Sequence, residues 1–390
     1  MSLMHHSNIP YAVAAEKAAE WARLKYTSQI DSGKMQATSL IQNLMANQPK
    51  DNFIWHSDLC FEPIEGLKSI RVSDAKACKA PHAHDCGNEL KSVMTLHPNA
   101  LSQACTKSEI PVTYLNSMLE NGQGDLAAQN LNRRFHDVEA TKRGRPRRYN
   151  LRSVNGEVRG FVSDSFPIWD SNSLVEAFIG AVREYGGVVV AAQCSDLRFS
   201  LKAVLPVLFE PIPNEVMLLG MSLRNSDFGV STYDISALVD RLKCTNLMTM
   251  QSEFAKRHLG RQYVEGEIFS RETMEKESAA LISATRDVVK GYLSPASIET
   301  QLERIRTVGT EVIDADKIFA ELRKKSKLTK EEEEKAKQLY RSADTEMLPR
   351  GDTRWRLSNA LALLAQETNA DRGLELEEVA GEVAQLKAAA

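Results

Sequence analysis

Apolar and alanine positions recur at helical spacing between residues 14 and 45, which predicts a long helix near the amino end. From 51 to 86 turn formers alternate with short apolar runs, and no period settles. Helix signals return between 99 and 135 around an Ile110-Pro111 break, where 113–119 and 125–135 read as two helices. The most ordered pattern begins at Tyr149. Residues 149–154 and 157–163 flank Asn155-Gly156, the pair best suited to the positive φ angles of a type I′ turn, so a β-hairpin is predicted. Ser173-Leu-Val-Glu176 fits a capping box, and Leu174, Phe178, Val182 and Tyr185 continue an amphipathic helix that Gly186-Gly187 ends.

A second hairpin is expected from the β-branched run 188–194 and the alternating run 197–204. A third strand pair, 215–223 and 229–233, brackets Asn225-Ser-Asp-Phe, and a helix is expected from Asp234 to about Met248. Beyond Arg271 the stretches 272–291, 295–308, 315–325, 330–343, 353–368 and 375–387 read as helices. Antiparallel pairs with helices between them predict an α+β fold. A hairpin-rich antiparallel sheet is covered by helices and followed by a mostly helical C-terminal region. The expected organisation is a helical or irregular region over 1–110, an α+β core over 111–265 and helices over 266–390.

Composition narrows the function classes. Lys+Arg 49 against Asp+Glu 52 leaves the chain at −3, so any contact with a polyanion must be local. The first eleven residues carry His5, His6 and Asn8 but no basic segment followed by an apolar core, and no export signal is read there. The most apolar stretch is broken by Gln193, Asp196, Arg198 and Lys202, so no membrane span is expected. Six irregularly spaced cysteines suit a compartment where thiols stay reduced, and the bacterial host cytoplasm is the expected location.

Between Arg133 and Arg159 stand nine basic residues against three acidic ones, a local charge of +6 on a body that is otherwise acidic. The candidate nucleic-acid-binding residues are Lys142, Arg143, Arg145, Arg147, Arg148, Arg152 and Arg159. The centre, Lys142-Arg-Gly-Arg-Pro-Arg-Arg148, resembles an AT-hook, in which an extended Arg-Gly-Arg-Pro core lies in the minor groove. Tyr149, Phe135 and Phe166 stand near enough to offer stacking faces, although such rings more often fill a core. Arg257, His258 and Arg261 form a second basic cluster. Arg224, Asn225 and Asp227 suit turn chemistry between strands. The expectation is a cationic loop at a strand edge, open to solvent.

Cys78, His82, His84 and Cys86 are zinc-ligand types, but their spacing matches no common paired arrangement, so no metal or other cofactor is expected. No phosphate-binding Gly-Lys-Ser/Thr loop, Gly-x-Ser-x-Gly elbow or His-Glu-x-x-His helix occurs, and no histidine lies between Tyr149 and Gln251. The residues read as a binding protein rather than an enzyme.

Five blocks occur in order: Val158-Arg-Gly-Phe-Val-Ser-Asp-Ser-Phe166, Leu201-Lys-Ala-Val-Leu-Pro206, Gly220-Met-Ser-Leu-Arg-Asn-Ser-Asp-Phe-Gly229, Arg241-Leu-Lys-Cys-Thr-Asn246 and Arg257-His-Leu-Gly-Arg261. Over residues 110–261 this pattern resembles the phage/plasmid-like family of unknown function that includes YfjQ, with a weaker echo at 355–360. The resemblance implies a mobile-element origin and transfers no activity. The order of hairpins and helices is also similar to that of phage single-strand annealing proteins, an analogy at the level of fold. The expected function is a phage or plasmid DNA-binding protein that assists recombination, single-strand annealing or replication. Its expected partner is DNA, single-stranded ahead of double-stranded, with homo-oligomer formation through the helical C-terminal region. The alternative is a phage structural, assembly or partner-binding protein without nucleic-acid activity.

Overall fold

The computed structural model describes residues 16–74, 93–137, 147–213, 215–241, 246–249, 254–256, 271–342 and 348–385. In chain order its first part comprises α1 (Glu16–Ala46), β1 (Lys50–Trp55), β2 (Leu59–Pro63), β3 (Ile70–Asp74) and β4 (Met94–Leu96). Then follow α2 (Pro98–Ser108), α3 (Val112–Glu120), α4 (Gly124–His136), β5 (Arg148–Val154) and β6 (Glu157–Ser163). Asn155 and Gly156 adopt φ of 51° and 83°, and the turn they make pairs β5 with β6 antiparallel, as their sequence predicts.

These six strands form one sheet in the order β1-β5-β6-β4-β3-β2. Its inward side chains, among them Ile54, Phe61, Val72, Leu151 and Phe161, meet Leu101, Leu115, Leu131 and Phe135 from α2, α3 and α4. The stretch without a settled period therefore holds three strands. Each is short, and β1 is fixed by a partner about a hundred residues away, Lys50 opposite Ser153, so local sequence carries little of its register.

The second part comprises α5 (Ser171–Glu184), β7 (Val188–Cys194), β8 (Phe199–Val204), β9 (Phe209–Ile212), β10 (Glu215–Asn225), β11 (Tyr233–Arg241), β12 (Asn246–Thr249) and β13 (Phe254–Lys256). The sheet order is β12-β11-β10-β8-β7, with β9 against β10 and β13 against β11. The helix expected from Asp234 to Met248 is instead β11 and β12. Tyr233, Ile235, Ala237 and Val239 enter one core while Leu238 enters another, a period of two. Pairing along β10, from Met217 opposite Arg241 to Arg224 opposite Asp234, overrides the local helix preference of Ala-Leu-Val. The strand expected at 229–233 is mostly connection, with Gly229 at φ 74°.

Six helices complete the chain: α6 (Arg271–Tyr292), α7 (Pro295–Thr310), α8 (Ala315–Lys324), α9 (Lys330–Arg341), α10 (Arg354–Gln366) and α11 (Ala370–Gln385). Ser294, Asp314, Thr329 and Thr353 cap four of them by accepting from backbone N–H groups. Leu302, Ile305, Phe319, Leu357, Leu361 and Val383 share one core with the second sheet and with Ala37 and Leu40 of α1. Gly33 lets α1 approach β7 closely, since a Cβ there would stand 2.5 Å from the Val190 Cα. Lys202 and Arg224 pair with Glu377 and Glu378 at 2.5 and 2.6 Å, fastening α11 to β8 and β10.

The fold is α+β, as expected. One core gathers residues between 54 and 161, a second joins α1 to nearly everything from Trp169 onward, and a third, smaller one sets Tyr26 of α1 with Val190, Leu218 and Leu238. No described helix is long and apolar enough to cross a membrane.

Candidate nucleic-acid interface

In the β1–β5 ladder Trp55 lies opposite Arg148, Phe53 opposite Asn150 and Asp51 opposite Arg152. Directly opposed residues share a face of the sheet. Ile54, Tyr149 and Leu151 point into the core from the other side. One outer stripe therefore carries Arg148, Asn150 and Arg152 beside Trp55, Phe53 and Asp51. Its two ends have different surroundings.

At one end Arg152 is 1% exposed. Its guanidinium stands 2.9 Å from the Asp51 carboxylate and 3.9 Å from Asp170, and it donates to the Asp227 carbonyl at 2.7 Å. Asp51 also accepts from Asn150 Nδ2 at 2.7 Å, and the Asp227 carboxylate accepts from Ser171 Oγ at 2.8 Å. Burial raises the Asp227 pKa, against the opposing pull of Arg152. The connection holding Asp227 and Phe228 rests on the first sheet at Gly160, where a Cβ would lie 3.1 Å from the Phe228 Cα.

Arg152 is thus a clamp between the two sheets, and no phosphate reaches it. That corrects the expectation drawn from its place in the basic segment. Arg159 is likewise committed, 3.0 Å from Glu157 and 3.6 Å from Asp196, and it also donates to the Asp196 carbonyl. Tyr149 is buried, its ring centroid 5.5 Å from that of Phe135 and 5.1 Å from that of Phe161, so it offers no stacking face. Phe135 and Phe166 are buried too, as are Arg224, Asn225 and Asp227.

The other end is open. Phe53 and Trp55 remain 40% and 41% exposed, and the Arg148 guanidinium lies 5.0 and 5.9 Å from their ring centroids. Arg148 is also 3.6 Å from Asp164, whose carboxyl is pushed up by burial more than Arg148 draws it down. The His56 N–H donates to the Arg147 carbonyl, and the His56 ring bonds the Phe135 carbonyl at 2.7 Å. These bonds bring the end of α4 and the start of β5 to one corner, which residues 138–146 connect.

The last turn of α2, which holds Lys107, lies at the same corner, where Arg134 of α4 donates to the Ser108 carbonyl at 2.8 Å. Burial first, and then the positive charge of Arg147, lower the Lys107 pKa. Among the described residues neither Lys107 nor Arg147 forms an ion pair, whereas neighbouring Arg134 is paired with Glu109.

Lys142, Arg143 and Arg145 lie outside the described residues, as do Arg257, His258 and Arg261, and Cys78, His82, His84 and Cys86. Among the described residues no cluster of three or more His, Cys, Asp or Glu could hold a metal ion. Sequence reading passed over Phe53, Trp55 and Lys107. The available signal was Phe-Ile-Trp, an apolar run whose alternation places two rings on the face away from the core. Comparison with protein-family models, with curated proteins and with solved structures finds no match.

Proposed function

We propose that this protein binds DNA through the basic segment anchored at the α2–α4–β5 corner, with Arg147 and the flanking Lys142, Arg143 and Arg145 meeting phosphates. One observation carries the reading: the His56 bonds to the Arg147 and Phe135 carbonyls anchor both ends of that basic segment at one corner of the fold. The local charge of +6 on a chain of net −3 supplies attraction confined to one region. Arg148 supports the corner from its seat on Phe53 and Trp55, while Arg152 and Arg159 hold the scaffold. The family resemblance supports a phage or plasmid origin. The processes that fit are recombination, single-strand annealing or replication in the cytoplasm of a bacterial host.

The test is a fluorescence-anisotropy titration of full-length protein with labelled single- and double-stranded oligonucleotides. The variant carrying Lys142→Ala, Arg143→Ala, Arg145→Ala and Arg147→Ala should lose most of its affinity. Arg183→Ala, an exposed arginine on α5 remote in sequence from the segment, should retain it. Unaltered binding by the fourfold variant would remove the segment from the account. An assembly role through the C-terminal helices would have to use their polar surface, because their apolar faces fill the shared core. Light scattering of the DNA-free protein separates that alternative.

A further inference from the structure

We infer that the outer face of β1 carrying Phe53 and Trp55 is a stacking platform for unpaired bases, so that the strand this corner takes is single-stranded. The inference rests on the nucleic-acid reading above and deepens it. Phe53 and Trp55 are two residues apart on an edge strand, hence on the same face, and both are about two-fifths exposed. The other aromatic rings on the strands of the first sheet, Phe61, Tyr149 and Phe161, are buried, while Tyr114 on α3 is exposed. The two open rings share one face of β1 and lie beside the Arg148 guanidinium.

Arg148 stands over both rings, and the basic segment 142–147 leads directly into it in sequence. The arrangement matches the two needs of an unpaired strand: flat apolar faces for bases, with cations beside them for the phosphates that join those bases. A duplex keeps its base faces stacked on one another and would use only the cations. The charge complementarity that favours a polyanion here also sets an unpaired strand above an apolar peptide as the occupant. The buried, ion-paired Arg152 closes the far end of the stripe, so the platform is confined to the Trp55–Arg148 end.

The experiment uses the full chain and three oligonucleotides of equal length: oligo-dT, an abasic strand with the same phosphates, and a duplex. Affinities come from anisotropy, and stacking from quenching of Trp55 emission, defined as the signal that Trp55→Phe removes. Trp169 and Trp355 are buried and should not respond. Oligo-dT should bind roughly five- to a hundredfold more tightly than the abasic strand and quench Trp55. Phe53→Ala with Trp55→Ala should bring oligo-dT down to the affinity that the same variant shows for the abasic strand, with its fold checked by circular dichroism. Trp55→Phe should retain most of the preference. Equal, salt-sensitive affinity for oligo-dT and the abasic strand would overturn the platform and leave DNA binding standing. No binding of any of the three at low salt would overturn both.

Discussion

Replacing Arg152 by Met separates an arginine that holds the fold from one that meets a ligand. Met preserves much of the apolar stem and removes the guanidinium. Asp51 then loses a partner at 2.9 Å and the Asp227 carbonyl loses a donor at 2.7 Å, at a site where the guanidinium is buried and the Asp51 carboxylate is partly exposed. Breaking a buried pair from one side costs about 3–5 kcal/mol. Asp51 keeps its bond from Asn150, and Asp170, 3.9 Å away and mostly exposed, adds little. The expected loss is therefore about 2–4 kcal/mol, a large share of a typical stability of about 5–15 kcal/mol.

The assay is urea unfolding followed by circular dichroism, with Asp51→Asn and the double variant completing a cycle. The two substitutions should be strongly non-additive. Arg147→Ala, measured alongside, should change stability by less than about 0.5 kcal/mol. A loss below about 1 kcal/mol for Arg152→Met, or additive effects of Arg152 and Asp51, would refute the clamp.

Two further predictions concern the C-terminal helices and α1. Glu332 accepts hydrogen bonds from Arg372, which hold its carboxyl at about 2 against an ordinary 4.5. Because the folded value is depressed, its contribution is complete above pH 4.5 and is lost as pH falls toward 2. Glu332→Gln should accordingly flatten the acid side of the stability profile, and parallel profiles for the two proteins would count against the pairing. Gly33→Ala would ordinarily strengthen a helix by about 1 kcal/mol. Here the new Cβ meets the β7 backbone at 2.5 Å, so the melting temperature should fall, and a rise would show that α1 does not pack this closely.

Local chemistry made part of this legible from sequence. Asn155-Gly156 defines its hairpin alone, and the capping residues Ser294, Thr329 and Thr353 mark helix starts without help from distant chain. β11 was read as a helix because Ala-Leu-Val suits either state until β10 provides a ladder. The basic segment showed its charge but not the fate of each arginine. Arg148 and Arg152 share one face of β5, yet one lies on exposed rings and the other under the Asp227 connection, 75 residues further along. Lys107 gave no signal at all, since the end of α2 meets α4 only through tertiary packing, with Arg134 donating to the Ser108 carbonyl at 2.8 Å.

The slope of log affinity against log salt for oligo-dT tests the central claim most directly. Single-strand binding loses about 0.7 in slope for each phosphate contact removed. Going from the wild-type chain to the variant without Lys142, Arg143, Arg145 and Arg147 should therefore flatten the slope by about 3. Identical slopes would place the phosphate contacts elsewhere on the molecule and contradict the account.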